Sequence, residues 1–152
     1  MTCKLVWLVL VLLAAALPAG AQTRDVRELE AQIESTLREF DRLGQKPFET
    51  RWPGGALHEA YKLEPDGTRS YSKFFPAGNF AVRYQKKSAG SRVYEKWHGN
   101  GQEAIILLRD ERITDYTAYW PNGVKKAKYQ YNRHTKERFY NAWSEKGEPV
   151  VP

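Results

Sequence analysis

The chain has 152 residues, of which 41% are hydrophobic and 28% are charged, and its formal net charge is +6. This length and composition are typical of one modest domain and exclude a multidomain enzyme. They do not by themselves indicate a function.

Residues 1–21 have the order of a secretory signal peptide. Lys4 precedes an apolar run at residues 5–17, and small residues lead up to Ala21. The run is shorter than the about 20 residues that a membrane-spanning helix needs, which favours cleavage near Ala21 over anchoring. Cleavage removes Cys3, the single cysteine of the chain, so no disulfide or thiol nucleophile is expected. The mature protein is therefore predicted to be periplasmic or secreted.

The segment 22–44 predicts an amphipathic N-terminal helix. Apolar residues recur at three- and four-residue steps and so share one helix face: Val26, Leu29, Ile33, Leu37, Phe40 and Leu43. The charged residues of this helix sum to −2, whereas residues 44–152 contain nineteen Lys and Arg against twelve Asp and Glu. This difference allows an acidic helix to lie on a basic body, although a solvated helix surface is the more ordinary interpretation.

From residue 51 onward one turn recurs about every 23 residues. Its copies are Trp52-Pro53-Gly54-Gly55, Phe75-Pro76-Ala77-Gly78, His98-Gly99-Asn100-Gly101, Trp120-Pro121-Asn122-Gly123 and a longer Trp143-Ser144-Glu145-Lys146-Gly147. Proline presets φ and the closing glycine accepts positive φ, so each block predicts a tight reversal. Second turns lie midway between these blocks. The sequence therefore predicts a mainly β domain over residues 51–147, an antiparallel meander of about eight strands, followed by a tail at 148–152.

Aromatic residues are predicted to face each other across the hairpins. They lie six and sixteen residues after the turn glycines, or fifteen for Tyr116, where the second turn of the third repeat is shorter, so that the two members of each pair are equidistant from the centre of their hairpin. The expected pairs are Tyr61 with Tyr71, Tyr84 with Tyr94, Leu107 with Tyr116, and Tyr129 with Phe139. These pairs are expected to stack as rungs along one face of the sheet, and their first role is to stabilise the fold.

This arrangement resembles the bacterial variant of the MORN repeat, a unit of about 23 residues with an aromatic turn closed by glycine, then tyrosine, a mid-repeat glycine and paired aromatics. The closest match is Trp120-Pro121-Asn122-Gly123 followed by Tyr129, and the resemblance covers residues 51–147. The third repeat departs from the pattern, with Leu107 in place of tyrosine and no mid-repeat glycine. The resemblance implies a β-meander scaffold that binds proteins or membranes and has no catalytic residues. Bacterial members are often labelled antitoxin components, and some resemble immunity proteins against secreted antibacterial effectors.

The sequence contains no convincing catalytic or metal-binding motif. The segment from His58 to Lys62 begins like the zinc-protease motif but has lysine where the second histidine is required. His58, His98 and His134 occupy different positions in the repeats, so they are not expected to converge on a metal. We therefore expect no enzyme activity, metal or cofactor. Hydrolysis that depends on His58 or Glu59 is the alternative to test.

Basic and polar residues are predicted to share the sheet face opposite the aromatic rungs. Strand alternation assigns to this face His58, Lys62, Arg83, Gln85, Lys126 and Lys128. Such a platform suits an acidic protein patch, anionic lipid headgroups or cell-wall polymer, and an ordinary solvated face is the alternative interpretation. Nucleic acid is not expected as a partner of an exported protein.

The third repeat lacks this division into an aromatic face and a polar face. Residues 104–108 are apolar on both alternating faces, so both faces should be covered. We expect the N-terminal helix to cover Ile106 and Leu108. If the helix docks elsewhere, these two residues become a partner site.

Two functional hypotheses follow. The first is a non-enzymatic exported module that binds another protein, with neutralisation of a secreted antibacterial effector as its sharpest form. The second is an envelope-associated structural protein that holds anionic lipid or cell-wall polymer through its basic face.

Overall fold

The computed structural model describes residues 19–42, 46–110 and 112–150, and within the helix the side chains of Glu28 and of residues 31–42. The described residues form one α-helix and ten β-strands in a single antiparallel sheet, in which the spatial order of the strands follows the chain order. The elements are α1 (Ala19–Arg42), β1 (Phe48–Arg51), β2 (Leu57–Leu63), β3 (Arg69–Phe74), β4 (Phe80–Lys86), β5 (Arg92–Trp97), β6 (Glu103–Arg109), β7 (Ile113–Tyr119), β8 (Lys125–Tyr131), β9 (Arg138–Trp143) and β10 (Pro149–Val150). The prediction of a mainly β antiparallel meander with one N-terminal helix is confirmed.

The number of strands differs from the prediction. Strands β2 to β9 lie between residues 57 and 143, but β1 and β10 extend the sheet at its two edges. The turn closed by Gly55 joins β1 to β2, and the turn closed by Gly147 joins β9 to β10. A tight reversal pairs the segment before it with the segment after it, so the first and last turns each add a strand. The predicted count of eight is therefore too low.

The turn glycines adopt one backbone conformation. Gly55, Gly78, Gly101, Gly123 and Gly147 have φ between 81° and 90°. Each of their amides donates to the carbonyl three residues earlier, at 2.8 to 2.9 Å. Left-handed φ carries a steric cost for residues with a Cβ atom, so glycine is required where these hairpins close.

An aromatic row crosses nine strands of the sheet in continuous register. Its members are Phe48, Tyr61, Tyr71, Tyr84, Tyr94, Leu107, Tyr116, Tyr129 and Tyr140. Cross-strand neighbours in register point to the same side of a sheet, so this aromatic row defines one face, here called the helix face.

One predicted rung is wrong. Tyr129 lies opposite Tyr140, whereas Phe139 lies opposite Gln130 and is 52% exposed. The loop between β8 and β9 spans residues 132–137, one residue more than the loops at 64–68 and 87–91. It contains a left-handed residue, Lys136, with φ 63°. The additional residue shifts the register by one and moves Phe139 to the other face.

Four strands carry a bulge three residues after a turn glycine. The register skips one residue at His58, Ala81, Ala104 and Lys126. A bulged residue has no cross-strand partner and departs from simple alternation. Simple alternation therefore does not determine the face on which His58 and Lys126 lie.

Helix α1 lies on the helix face. Leu37 is fully buried there, and the ring of Phe40 lies 5.0 Å from that of Tyr71 and 5.2 Å from that of Tyr84. The prediction that the helix covers Ile106 and Leu108 is therefore wrong. The aromatic row offers a continuous apolar surface across many strands, whereas the apolar patch on the other face is narrow, so burial favours the aromatic side.

The N-terminal predictions lie mostly outside the described residues. Helix α1 begins at Ala19 and so includes Ala21, the predicted cleavage position, whereas residues 1–18 are not described. Within the described part of the chain, no helix is both long enough and apolar enough to cross a bilayer.

Candidate functional site

The face opposite α1, here called the open face, is built from two central rows. Their members in strand order are Ala60, Ser72, Arg83, Glu95, Ile106, Thr117, Lys128 and Asn141, and beside them Lys62, Ser70, Gln85, Val93, Leu108, Asp115, Gln130 and Phe139. Six of the eight residues predicted to bind a partner lie in these rows. No element of the described chain covers them, and Leu108 is 43% exposed.

These six residues form an extended surface. They lie on every second strand of the sheet: β2, β4, β6 and β8. Two strand spacings, about 10 Å, therefore separate the residues of one of these strands from those of the next. From Lys62 to Lys128 the surface spans six spacings, roughly 29 Å. They therefore do not converge on one point, and the geometry suits a macromolecular surface better than a small substrate.

Arg83 is the most constrained cation of the open face. Its Nε donates to the Glu95 carboxylate at 2.6 Å, and this hydrogen bond raises the pKa of Arg83. Its guanidinium carbon also lies 5.7 Å from the ring centre of Phe80 and 5.9 Å from that of Trp97. The open face is consequently less basic than the sequence suggested. The sequence did not identify Glu95 as the partner of Arg83, because only the strand register places these two residues opposite each other.

The two bulged residues His58 and Lys126 pack against tryptophans. The ring centres of His58 and Trp52 are 4.0 Å apart, and the Lys126 Nζ lies 4.3 Å from the ring centre of Trp120. In both pairs the tryptophan opens the turn and the bulged residue follows six residues later, a spacing that could have been found in the sequence. His58 Nε2 also lies 3.9 Å from Glu59 Oε1. His58 and Lys126 therefore lie near the turns closed by Gly55 and Gly123, outside the central rows.

Apolar side chains are exposed at two places on the open face. Leu108 on β6 and Phe139 on β9 belong to the same row, and Ile106 lies half-buried beside Leu108. Between them, Gln130 donates to the Asp115 carboxylate at 3.3 Å. The open face thus places two exposed apolar side chains on either side of a hydrogen-bonded polar pair.

Acidic residues of α1 form ion pairs with part of the basic helix face. Asp41 Oδ2 lies 2.9 Å from Arg92, Asp41 Oδ1 lies 3.4 Å from Lys86, and Glu34 lies 2.7 Å from Arg109. These ion pairs join acidic residues of the helix to basic residues of β4, β5 and β6. The charge difference noted in the sequence therefore corresponds to direct contacts between α1 and the sheet.

Tyrosines beneath and beside α1 hold their protons tightly. Burial raises the pKa of Tyr71 to about 12 and that of Tyr116 to about 12, and it also raises the pKa of Tyr84 and Tyr94. The dominant cause is desolvation in each case, which is expected for phenols covered by a helix. These shifts report the packing of the helix face.

No cluster of three or more His, Cys, Asp or Glu side chains in the described ranges has the arrangement to hold a metal ion. His58 lies on β2 against Trp52, whereas His98 lies in a turn with its Nε2 3.0 Å from the Tyr119 carbonyl oxygen. The described geometry thus contains an extended open face and a covered helix face.

Comparison with known proteins assigns no family. The chain matches no protein-family model, and no curated protein matches it.

Proposed function

We propose that this protein is an exported, non-enzymatic binding module built from MORN-like repeats, and that its open face binds another protein. One observation carries the proposal: α1 occupies the helix face, and the open face keeps exposed apolar residues beside cations. In its sharpest form the partner is a secreted antibacterial effector, which the module neutralises as an immunity protein.

The repeat interpretation is supported by the backbone. Five turns close on a left-handed glycine with the same hydrogen bond, and bulges recur three residues after four of those glycines. The aromatic row continues through successive hairpins in register. Each hairpin therefore packs mainly against its neighbours, as in repeat proteins.

A protein partner is supported by the composition of the open face. Leu108 and Phe139 expose apolar surface, Lys128 lies on the strand next to that of Phe139, and Lys62 adds a positive charge on β2. Arg83 and Glu95 neutralise each other at 2.6 Å, which lowers the net charge of the centre. Apolar anchors among fixed polar groups are typical of protein interfaces, whereas a polyanion surface is better served by free cations throughout.

The alternative function is that of an envelope-associated structural protein that holds anionic lipid or cell-wall polymer. It is favoured by the excess of Lys and Arg in residues 44–152 and by the lysines of the open face. This attraction depends on charge and should weaken as salt screens it.

The experiment compares two matched variants. Leu108 and Leu63 are 43% and 45% exposed, but Leu63 lies on the helix face, in register with Arg69. The candidate partner is the purified product of the adjacent gene, and calorimetry measures its binding. We expect Leu108→Asp to weaken binding at least tenfold, or about 1.4 kcal/mol, whereas Leu63→Asp binds like the unchanged protein.

Two results would contradict the proposal of a protein partner. One is equal binding by the unchanged protein and both variants. The other is co-sedimentation with anionic liposomes or cell-wall polymer that disappears at high salt, together with no binding of the candidate protein. The second result supports the structural alternative.

A further inference from the structure

The helix face carries a cavity of about 360 Å³ beside α1. Its floor is formed by Ile105, Ala118 and Ala127, which are neighbours in register on β6, β7 and β8. Two adjacent alanines leave a depression beside the bulkier aromatic row, from which Tyr116 and Tyr140 form one wall. The volume lies at the lower end of the range for small-molecule sites.

The opposite wall lies at the end of the sheet that carries the turns closed by Gly101 and Gly123. His98 Nε2 lies 3.0 Å from the carbonyl oxygen of Tyr119, and both residues line the cavity. Tyr116 lines the other side, and its phenol is a hydrogen-bond donor at neutral pH. Polar groups therefore surround an apolar floor.

Two lysines at this cavity differ from the cations that pair with α1. Lys86 and Arg92 pair with Asp41, and Arg109 pairs with Glu34. For Lys96 and Lys126, by contrast, no carboxylate of the described residues lies within ion-pair distance, and no described Asp or Glu lines the cavity. The bulge on β8 explains how Lys126 reaches this site in spite of simple alternation.

A second cavity of about 190 Å³ continues the first towards α1. The two share Lys96, Ile105 and Tyr116, and the second reaches Ile33 and Thr36 of the helix. From Lys96 on β5 to the floor on β8 the groove crosses three strand spacings, roughly 14 Å. The combined groove is elongated, apolar along its floor and positively charged at its rim.

We propose that this groove binds an amphiphilic anion, a small molecule with an elongated apolar body and one carboxylate, sulfonate or phosphate group. The apolar body lies over Ile105, Ala118 and Ala127, and the anionic group pairs with Lys96 or Lys126. Such a ligand supplies the negative charge that these two lysines lack among the described residues. The site lies on the face opposite the proposed protein-binding surface, so it is a separate property of the fold.

The test uses octanoate as the probe, with octanol and octyltrimethylammonium as controls of the same chain length. The full protein is titrated by calorimetry below the concentrations at which these compounds form micelles. We expect one octanoate per chain, bound at least tenfold more tightly than either control, and an affinity that falls with added salt. The tryptophan fluorescence of the protein should also respond, because Lys126 lies 4.3 Å from the ring centre of Trp120.

Paired variants locate the site. Lys96→Gln with Lys126→Gln should weaken octanoate binding at least tenfold and remove its salt dependence. Lys62→Gln with Lys128→Gln removes the same charge from the open face and should leave the affinity unchanged. Lys96, Lys126 and Lys62 are exposed, so folding should be retained and is checked by circular dichroism.

A further variant tests the apolar floor. Ala127→Leu fills the groove and should lower the affinity for octanoate more than that for acetate. The proposal is overturned if octanoate does not bind, if octyltrimethylammonium binds equally well, or if the open-face pair of substitutions causes the loss. None of these results affects the test of the open face with a protein partner.

Discussion

The Asp41 carboxylate of α1 lies 2.9 Å from the Arg92 guanidinium of β5. The same carboxylate lies 3.4 Å from Lys86 and accepts a hydrogen bond from the Tyr84 hydroxyl at 3.2 Å. All of these side chains are largely shielded from solvent. One acidic residue in the last turn of the helix thus joins two strands and fixes where α1 crosses the sheet.

Replacing Asp41 should loosen the helix. Asp41→Asn keeps an acceptor for Tyr84 but removes the charge that Arg92 and Lys86 share, so we expect a loss of about 1 to 2 kcal/mol in urea denaturation. The control is Glu49→Gln, because Glu49 and Arg51 are exposed and 3.8 Å apart. That change should cost less than about 0.5 kcal/mol. Equal costs would contradict a stabilising role for the helix ion pairs.

Leu37 should dominate the apolar contact of the helix. Leu37→Ala removes a fully buried side chain, and we expect the free energy of unfolding to fall by about 2 to 4 kcal/mol. Leu63→Ala, at 45% exposure on the same sheet face, should cost less than about 1 kcal/mol. Hydrogen exchange of α1 should rise only in the first variant. A small effect of Leu37→Ala would mean that the helix does not dock as described.

The register of the last long hairpin can be tested with two aromatic truncations. Tyr129 is buried opposite Tyr140, so Tyr129→Ala should destabilise the protein by about 3 to 5 kcal/mol. Phe139 is 52% exposed, and Phe139→Ala should cost less than about 1 kcal/mol. Thermal unfolding measures both. Comparable losses would instead favour the pairing of Tyr129 with Phe139 that the repeat spacing predicts.

Adjacent glycines in the first turn should respond differently to alanine. Gly55 has φ 85°, whereas Gly54 is not in the left-handed region, and a Cβ atom at either position meets nothing within 4 Å. Gly55→Ala should therefore cost about 1 kcal/mol through backbone strain alone. Gly54→Ala should be neutral or stabilise by up to about 1 kcal/mol through the unfolded state. The same response from both would contradict the turn conformation.

Alkaline pH should destabilise the helix face. Burial raises the pKa of Tyr71 and of Tyr116 to about 12, above the ordinary value of about 10. The folded state binds these protons more tightly, so the stabilisation is complete below about pH 10 and is lost as the pH rises towards about 12. Urea denaturation at stepped pH, with phenolate absorbance, measures this. Substituting both tyrosines by phenylalanine should flatten the decline, and an unchanged decline would show another cause.

Much of the hairpin architecture could be predicted from local sequence. A glycine that closes a turn has a conformational requirement that does not depend on distant residues, so the reversals at Gly55 and Gly123 could be located directly. The pairing of Tyr84 with Tyr94 follows from the length of one loop. The same reasoning pairs Tyr129 with the wrong residue, because the loop at 132–137 has one additional residue and the length of the loop sets the register.

The candidate site was less predictable, for two reasons. Bulges at His58 and Lys126 break the alternation that assigns side chains to faces, and a bulge depends on the pairing of two strands. The partnership of Arg83 with Glu95 likewise requires the register of β4 and β5. Such cross-strand contacts have no signature within either strand alone.

The turn glycines, the mainly β meander and the amphipathic, acidic character of α1 follow from the sequence, because each depends on residues close together in the chain. Which face of the sheet the helix covers depends instead on contacts between distant parts of the chain. The position of the helix depends on the total apolar and basic surface that each face offers for contact. The aromatic row, with Arg92 and Arg109 beside it, offers α1 more burial and more charge pairing than the narrow patch around Ile106 and Leu108.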